Sequence, residues 1–325
     1  MPKNFVLTLF VFFMPTVIIA QEVKKETAPL LDSAAIINDL INLLGMGSKP
    51  ISYVTIELGV GNRLFSLRNN RLNTKQASTK ITVYNPSVTY YHKTGANIGV
   101  GASFLNDTAT TFGPTQYSLS AGYDLPGNDK FNFSFSYTRY FIKDPYSVFA
   151  SPILNDLFTS VEYKKSWLQP AIAFGYSTGN YKQVIKKDTA IGNNRRMLYD
   201  SSTTTIKYFS MIASVSHSFN WQALFNKEDM FIFKPSLLIN MGTSTSNTTR
   251  KTNAAYLIRL LNRRGKLPKV TTTAFQAESL GLNVDFSYSI GRFSFQPQYY
   301  LDYYLPKSDF DKFSQFFTFN MGYTF

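Results

Sequence analysis

The chain has 325 residues, with 33 Lys and Arg against 20 Asp and Glu, a net charge of +13, two His and no Cys. An aromatic share of 16% within a hydrophobic share of 44% excludes a disordered or low-complexity chain, and the lack of Cys excludes a disulfide-stapled module or a thiolate zinc site. Mean hydropathy is slightly negative, which suits a soluble domain and equally a membrane barrel whose apolar residues alternate with polar ones.

Residues 1–20 read MPKNFVLTLFVFFMPTVIIA: one cation at Lys3, an apolar run from Phe5 to Met14, then Ala20 before a polar stretch. That order is the mark of a cleaved secretory signal peptide, and the run is short of the ~20 residues a spanning helix needs. Residues 21–50 are expected to form a periplasmic segment with a short helix over 34–44, capped by Asp32 or Ser33.

From Ser52 onward the dominant period is two. Phe131, Phe133, Phe135 and Tyr137 alternate with Asn132, Ser134, Ser136 and Thr138, as expected of strands with one apolar and one wet face. Such runs fall at roughly 51–60, 80–91, 96–104, 115–125, 131–142, 157–164, 168–178, 203–219, 230–243, 275–290, 292–303 and 314–325. Links after alternate strands are short, such as 92–95 and Gly291, while the others reach 179–202 and 244–274. Short turns on one side and long loops on the other are how outer-membrane barrels are organised. The expected fold is therefore all-β: a twelve-stranded antiparallel transmembrane β-barrel over 51–325, with ten and fourteen strands as the neighbouring alternatives. Aromatic girdles are expected at both rims.

The last strand ends at Phe325, and counting back by twos gives Tyr323, Met321, Phe319 and Phe317. This resembles the C-terminal signal of bacterial outer-membrane β-barrels, in which a terminal Phe closes an alternating strand read by the barrel assembly machinery. Polar–Pro pairs at Asn85-Pro86, Gln169-Pro170, Lys234-Pro235 and Gln296-Pro297 lie inside strands. Because Pro removes a ladder donor, bulges or rim positions are expected there, and the wording resembles poorly characterised Bacteroidota-type barrels. The resemblance implies a Gram-negative outer-membrane location.

With the apolar face turned to lipid, Glu57, Asp124, Glu162, Lys234, Asp285, Arg292 and Asp302 become lumen-lining candidates. They either line a hydrated solute path or form a cross-strand ion-pair network that fills the barrel. No catalytic, cofactor-binding or metal-binding residues are expected. His217 has Val215 and Phe219 at the i±2 positions where barrel lipid hydrolases place a Ser, and is expected at the periplasmic interface; His92 is expected in a turn.

Charge is concentrated on the loop side. The first loop carries Arg63, Arg68, Arg71, Lys75 and Lys80, and the fourth carries Lys182, Lys186, Lys187, Arg195 and Arg196 against Asp188 and Asp200. The fifth carries Arg250, Lys251, Arg259, Arg263, Arg264, Lys266 and Lys269. Three loops thus hold more positive charge than the chain's net total. They are candidates for contact with lipopolysaccharide phosphates and outer-membrane lipids, or for drawing small anionic solutes to the mouth. Nucleic acid is not expected, because no stacking or groove-reading element accompanies the charge. Residues 253–265 (NAAYLIRLLNRRG) are expected to form an amphipathic helix that constricts the mouth or lies on the leaflet.

The expected function is a narrow or gated channel, or a ligand-binding barrel, for small solutes, anions among them. A non-conducting component of an outer-membrane assembly is the alternative. A lipid-modifying enzyme is the third reading, disfavoured by the His registers.

Overall fold

A computed structural model describes residues 51–62, 82–106, 113–143, 153–191, 194–252, 270–306 and 312–325. The period-two segments all become strands. These are β1 (Tyr53–Gly61), β2 (Thr82–Tyr91), β3 (Ala96–Asn106), β4 (Gly113–Asp124), β5 (Phe131–Ile142), β6 (Ile153–Tyr163) and β7 (Gln169–Ile191). There follow β8 (Asn194–Ser216), β9 (Phe219–Gln222), β10 (Asp229–Thr252), β11 (Thr271–Thr272), β12 (Gln276–Ile290), β13 (Phe293–Tyr304) and β14 (Phe313–Thr324). Every pairing is antiparallel, and β1 pairs with β14 from Thr55↔Thr324 to Gly61↔Thr318, so twelve long strands close into a barrel. The short β9 and β11 both pair with β10. Closure pairs the backbone donors and acceptors without help from water, which is the condition for crossing a bilayer with strands. No helix occurs among the described residues; the expected signal peptide over 1–20, the segment 21–50 with its helix, and the helix over 253–265 lie outside them.

Alternation decides which side chains face out. Thirty-eight large hydrophobic side chains are exposed among the described residues, Ile98 (52%), Val100 (55%) and Leu237 (61%) among them. A soluble monomer rarely exposes an apolar patch above a few hundred Å², so this belt is a lipid-facing surface. Aromatic residues crowd both of its margins. Where the short turns lie (the turn end), Trp167 and Phe219 sit 4.9 and 4.5 Å from the His217 ring, and Phe293 sits 4.8 Å from Tyr323. At the loop end, Tyr303 meets Phe313 at 5.4 Å. Phe317, Met321 and Phe325 of the terminal pattern are exposed on the outer face, with the half-buried Phe319 and Tyr323 between them.

Three strands are much longer than expected. β7 and β8 have 23 residues each and β10 has 24, whereas a tilted strand crosses the apolar layer in about 9–11. Residues 180–191 and 194–202, expected as a loop, continue the same ladder as far as Ile191↔Asn194, and 244–252 extends β10 beside β8. These stretches carry no regular apolar alternation, so the pattern that reveals a strand is lost while pairing goes on. β6 likewise begins at Ile153 rather than 157, its ladder shifted by a bulge between Ile153 and Asn155.

The prolines of the four polar–Pro pairs all take outward positions, but no register shift falls at them, whereas Pro114 of β4 lies at one. The shifted registers lie at Ser103/Phe104, Ile153/Asn155 and Asn240/Met241. Pro86, Pro235 and Pro297 instead coincide with gaps in the ladder across which the register is unchanged. For Pro235 the gap separates Ser236↔Ser216 from Phe233↔Phe219, so β9 is the continuation of β8 past a position that lacks an N–H donor. The expected strand over 203–219 is thereby split.

At the turn end, Gly95, Gly127 and Gly291 hold positive φ (96°, 67° and 55°), where a Cβ is disfavoured. The longest of these turns is organised by Asp229. Its carboxylate accepts the backbone N–H groups of Leu224, Phe225 and Asn226 at 2.7–2.9 Å. Enclosure of the carboxyl opposes ionisation, but those donors and the Tyr288 hydroxyl outweigh it and hold the group below its ordinary value. A lowered folded pKa gives stability that is present above the unfolded pKa, about 3.9, and lost as pH falls through the folded value. Asp229→Ala is therefore expected to speed amide hydrogen exchange at Leu224–Asn226 near neutral pH and to abolish the wild-type increase in exchange below about pH 4.

Candidate functional site

The inward-facing side chains divide the lumen into two unlike walls. On β2 to β5 the middle inner positions are small and polar: Ser87, Thr89, Gly101, Ser118, Ser120, Ser134, Ser136 and Thr138 are all half-buried and Asn85 is exposed, whereas Val83, Leu105 and Gln116, nearer the loop end, are buried. Glu57 of β1, also half-buried, faces the same space. The opposite wall is bulky and closed. Phe158, Ala173, Ile212, Leu238, Tyr300 and Phe316, from β6, β7, β8, β10, β13 and β14, form one buried cluster. In the closed ring β6 and β14 are six strands apart, on opposite sides. The cluster is therefore a ledge built across one half of the lumen.

Polar groups tie the ledge together. Tyr300, fully enclosed, receives the Asn240 amide at 2.9 Å and donates to Asp302 Oδ1 at 3.0 Å, with its ring 4.7 Å from Phe316. Nearby, β12 carries one extra residue opposite Asn240/Met241, so Glu278 and Ser279 both turn inward. The Tyr208 hydroxyl then donates to Glu278 Oε2 at 2.8 Å. Parity counting missed Glu278, because a bulge reverses the alternation without any mark in composition. Asp156, which receives the Ser177 hydroxyl at 2.6 Å and is 5% exposed, belongs to the same wall and was also missed.

Toward the turn end Lys234 Nζ and Glu162 Oε1 form a buried ion pair at 2.6 Å, with both side chains at most 4% exposed. β6 and β10 are separated by β7 and β8, so the pair spans the lumen rather than a strand ladder. Lys234 also stands opposite Asp285 on β12, whose own neighbour on β13 is Gln298. Of the inward charged residues, Glu162 and Lys234 are thus paired with one another.

The remaining candidates fall as follows. Asp124 is buried at the turn end, accepting the Asn97 amide at 2.7 Å. Arg292 is not a lumen residue: it sits beside Gly291 in the two-residue turn between Ile290 and Phe293 and is exposed. The parity count placed it inward by running through a turn, where alternation stops. Lys186, Lys187, Arg195 and Arg196 lie on the projecting β7–β8 hairpin, and Arg63, Arg68, Arg71, Arg259, Arg263 and Arg264 lie outside the described residues. His217 Nδ1 meets the Trp167 carbonyl at 2.7 Å, and His92 Nδ1 meets the Thr94 hydroxyl at 2.8 Å in its turn. Among the described residues no group of three or more His, Cys, Asp or Glu is placed to hold a metal ion.

No protein-family model matches the chain, and no curated protein matches it. Solved structures that it resembles include the NanC porin, at 8% identity and a TM-score of 0.37, over 83% of this chain and 98% of that one. Others are a bacterial polysaccharide outer membrane secretin, at 8% identity and a TM-score of 0.35 over 86% and 100%, and the Acinetobacter baumannii outer membrane protein Omp33. The last has 9% identity and a TM-score of 0.28 over 85% and 100%. The closed topology stands on the chain's own ladder.

Proposed function

We propose that this protein is a narrow outer-membrane channel in which small polar solutes pass between the polar wall of β2 to β5 and the packed ledge. The observation that carries this reading is the half-exposure of the polar wall: had the ledge filled the lumen, those small side chains would be buried beneath it. Ser, Thr and Asn hydroxyls and amides replace part of a solute's hydration, while the confined cross-section limits its size. The closed barrel and its apolar belt support an outer-membrane setting. In that setting residues 1–20 act as the cleaved signal, the turn end faces the periplasm, and the strand-interrupting prolines mark a Bacteroidota-type barrel. The pattern from Phe317 to Phe325 serves as the assembly signal, and the basic groups of the hairpin and loops contact lipopolysaccharide. The role is passive, without catalysis or cofactor.

The test is planar-bilayer conductance of the purified chain. A small, reproducible unitary conductance is expected. Ser120→Trp, which places an indole into the open side of the slot, should reduce it severalfold while leaving the heat-modifiable electrophoretic mobility of the folded barrel intact. Absence of conductance, or a Ser120→Trp variant that conducts as well as wild type, would overturn the channel reading.

A further inference from the structure

The connection between β9 and β10, residues 223–228, folds outward against the belt rather than over the lumen. Its Phe225 ring meets Tyr288 edge-on at 6.1 Å, and the Tyr288 hydroxyl donates to Asp229 Oδ2 at 3.2 Å. Tyr288 stands opposite Phe231 of β10 and Phe295 of β13, and Phe231 shares the outward face of β10 with the exposed Leu237. The three backbone N–H groups that donate to Asp229 fix the turn in that place. Every residue from Trp221 to Glu228 is exposed, with Leu224 at 48% and Phe225 at 80%. The turn is a hydrogen-bonded foot that holds apolar side chains away from the protein at the margin of the lipid-facing surface.

The foot belongs to a wider arc of the rim. Trp221 stacks toward Phe219 at 6.1 Å, Phe219 meets His217 at 4.5 Å, and His217 meets Trp167 at 4.9 Å. The chain has two Trp, and both lie on this arc, where amphipathic rings sit at headgroup level. The same arc carries Lys164, Lys165, Lys227 and Arg292, and its exposed acid is Glu228. Lys227 and Arg292 each follow or precede the Asp229↔Ile290 pair by two residues, so they flank one ladder end. None of the four cations is ion-paired with a described residue. Cations at the headgroup level beside exposed rings match a ligand with an anionic head and an apolar tail.

We propose that this arc binds anionic phospholipids of the periplasmic leaflet, their phosphates at Lys164, Lys165, Lys227 and Arg292 and their acyl chains over Trp221, Phe225 and Tyr288. The surface lies at the opposite rim from the basic loops. It rests on the outer-membrane setting proposed above and not on conduction.

The two Trp make the test direct, because both report on the arc. With the full chain in vesicles of zwitterionic lipid, a minor share of brominated phosphatidylglycerol should quench Trp fluorescence severalfold more than the same share of brominated phosphatidylcholine. The variant Lys164→Gln/Lys165→Gln/Lys227→Gln/Arg292→Gln should abolish that excess and leave quenching by phosphatidylcholine unchanged. Phe225→Ser, which keeps every charge and the Asp229 hydrogen bonds, should lower the excess. Equal quenching by the two lipids, or an excess that survives neutralisation of the four cations, would overturn the inference. Quenching by neither lipid would remove the membrane setting with it. An excess lost on neutralisation, in a chain that conducts nothing, would remove the channel and leave the lipid site standing.

Discussion

Lys234→Met is expected to destabilise the barrel by about 3–5 kcal/mol, the cost of leaving a buried charge without its partner. Lys234 is 3% exposed, bonds Glu162 at 2.6 Å and faces Asp285 across the β10–β12 pair, so its removal strands two carboxylates at once. Glu162→Gln removes only one, and the ammonium keeps Asp285; its cost is expected to be clearly smaller. The double variant Lys234→Met/Glu162→Gln should recover the part of the loss that comes from Glu162, since replacing both members of a buried pair is often close to neutral, while Asp285 still lacks the ammonium. Urea unfolding in lipid vesicles, followed by Trp fluorescence, measures all three. Equal losses for the two single variants would show that Asp285 does not feel Lys234. No recovery in the double variant would show that the pair acts through packing rather than charge.

The second large effect concerns the ledge. Phe316→Ala and Tyr300→Ala are each expected to cost about 3–5 kcal/mol, the range for deleting a buried aromatic side chain, and to enlarge the unitary conductance severalfold. Phe316 is 2% exposed and Tyr300 is fully enclosed, on neighbouring strands at the side of the cluster that borders β1. Removing either thins the ledge where it borders β1. Tyr300→Ala carries a further loss, because the Asn240 amide and Asp302 Oδ1 each lose a hydrogen bond. Tyr300→Phe separates the two contributions: it keeps the ring and removes the hydroxyl, so conductance should stay near wild type while stability falls. Increased conductance in Tyr300→Phe equal to that of Tyr300→Ala would assign the constriction to the hydrogen bonds and not to the ring.

How far these features could be read in advance depends on their range along the chain. The outward face of β5, from Phe131 to Phe141, follows from alternation alone, because a strand's period of two assigns every side chain to a face. The outward positions of Phe317, Met321 and Phe325 were legible for the same reason. Arg292 was misassigned and Glu278 missed because a turn and a bulge each reset that period. The far parts of β7, β8 and β10 were read as loops because their residues show no apolar alternation, and only the ladder reveals the pairing.

The amino-acid sequence by itself determined the all-β class, the twelve strands, the lipid-facing side and the end at which the turns are short. Each of these is a local property, carried by residues two apart or by the length of a link. Only the tertiary structure decided that Lys234 meets Glu162, 72 residues away, that aromatic side chains gather into a ledge over one half of the lumen, and that Asp156, Glu162, Glu278 and Asp302 are buried. Those meetings depend on closure and on the register of every ladder between them. A shift of one residue in a single pairing would turn that strand's side chains to the opposite face, so the lumen takes its form from all twelve strands together.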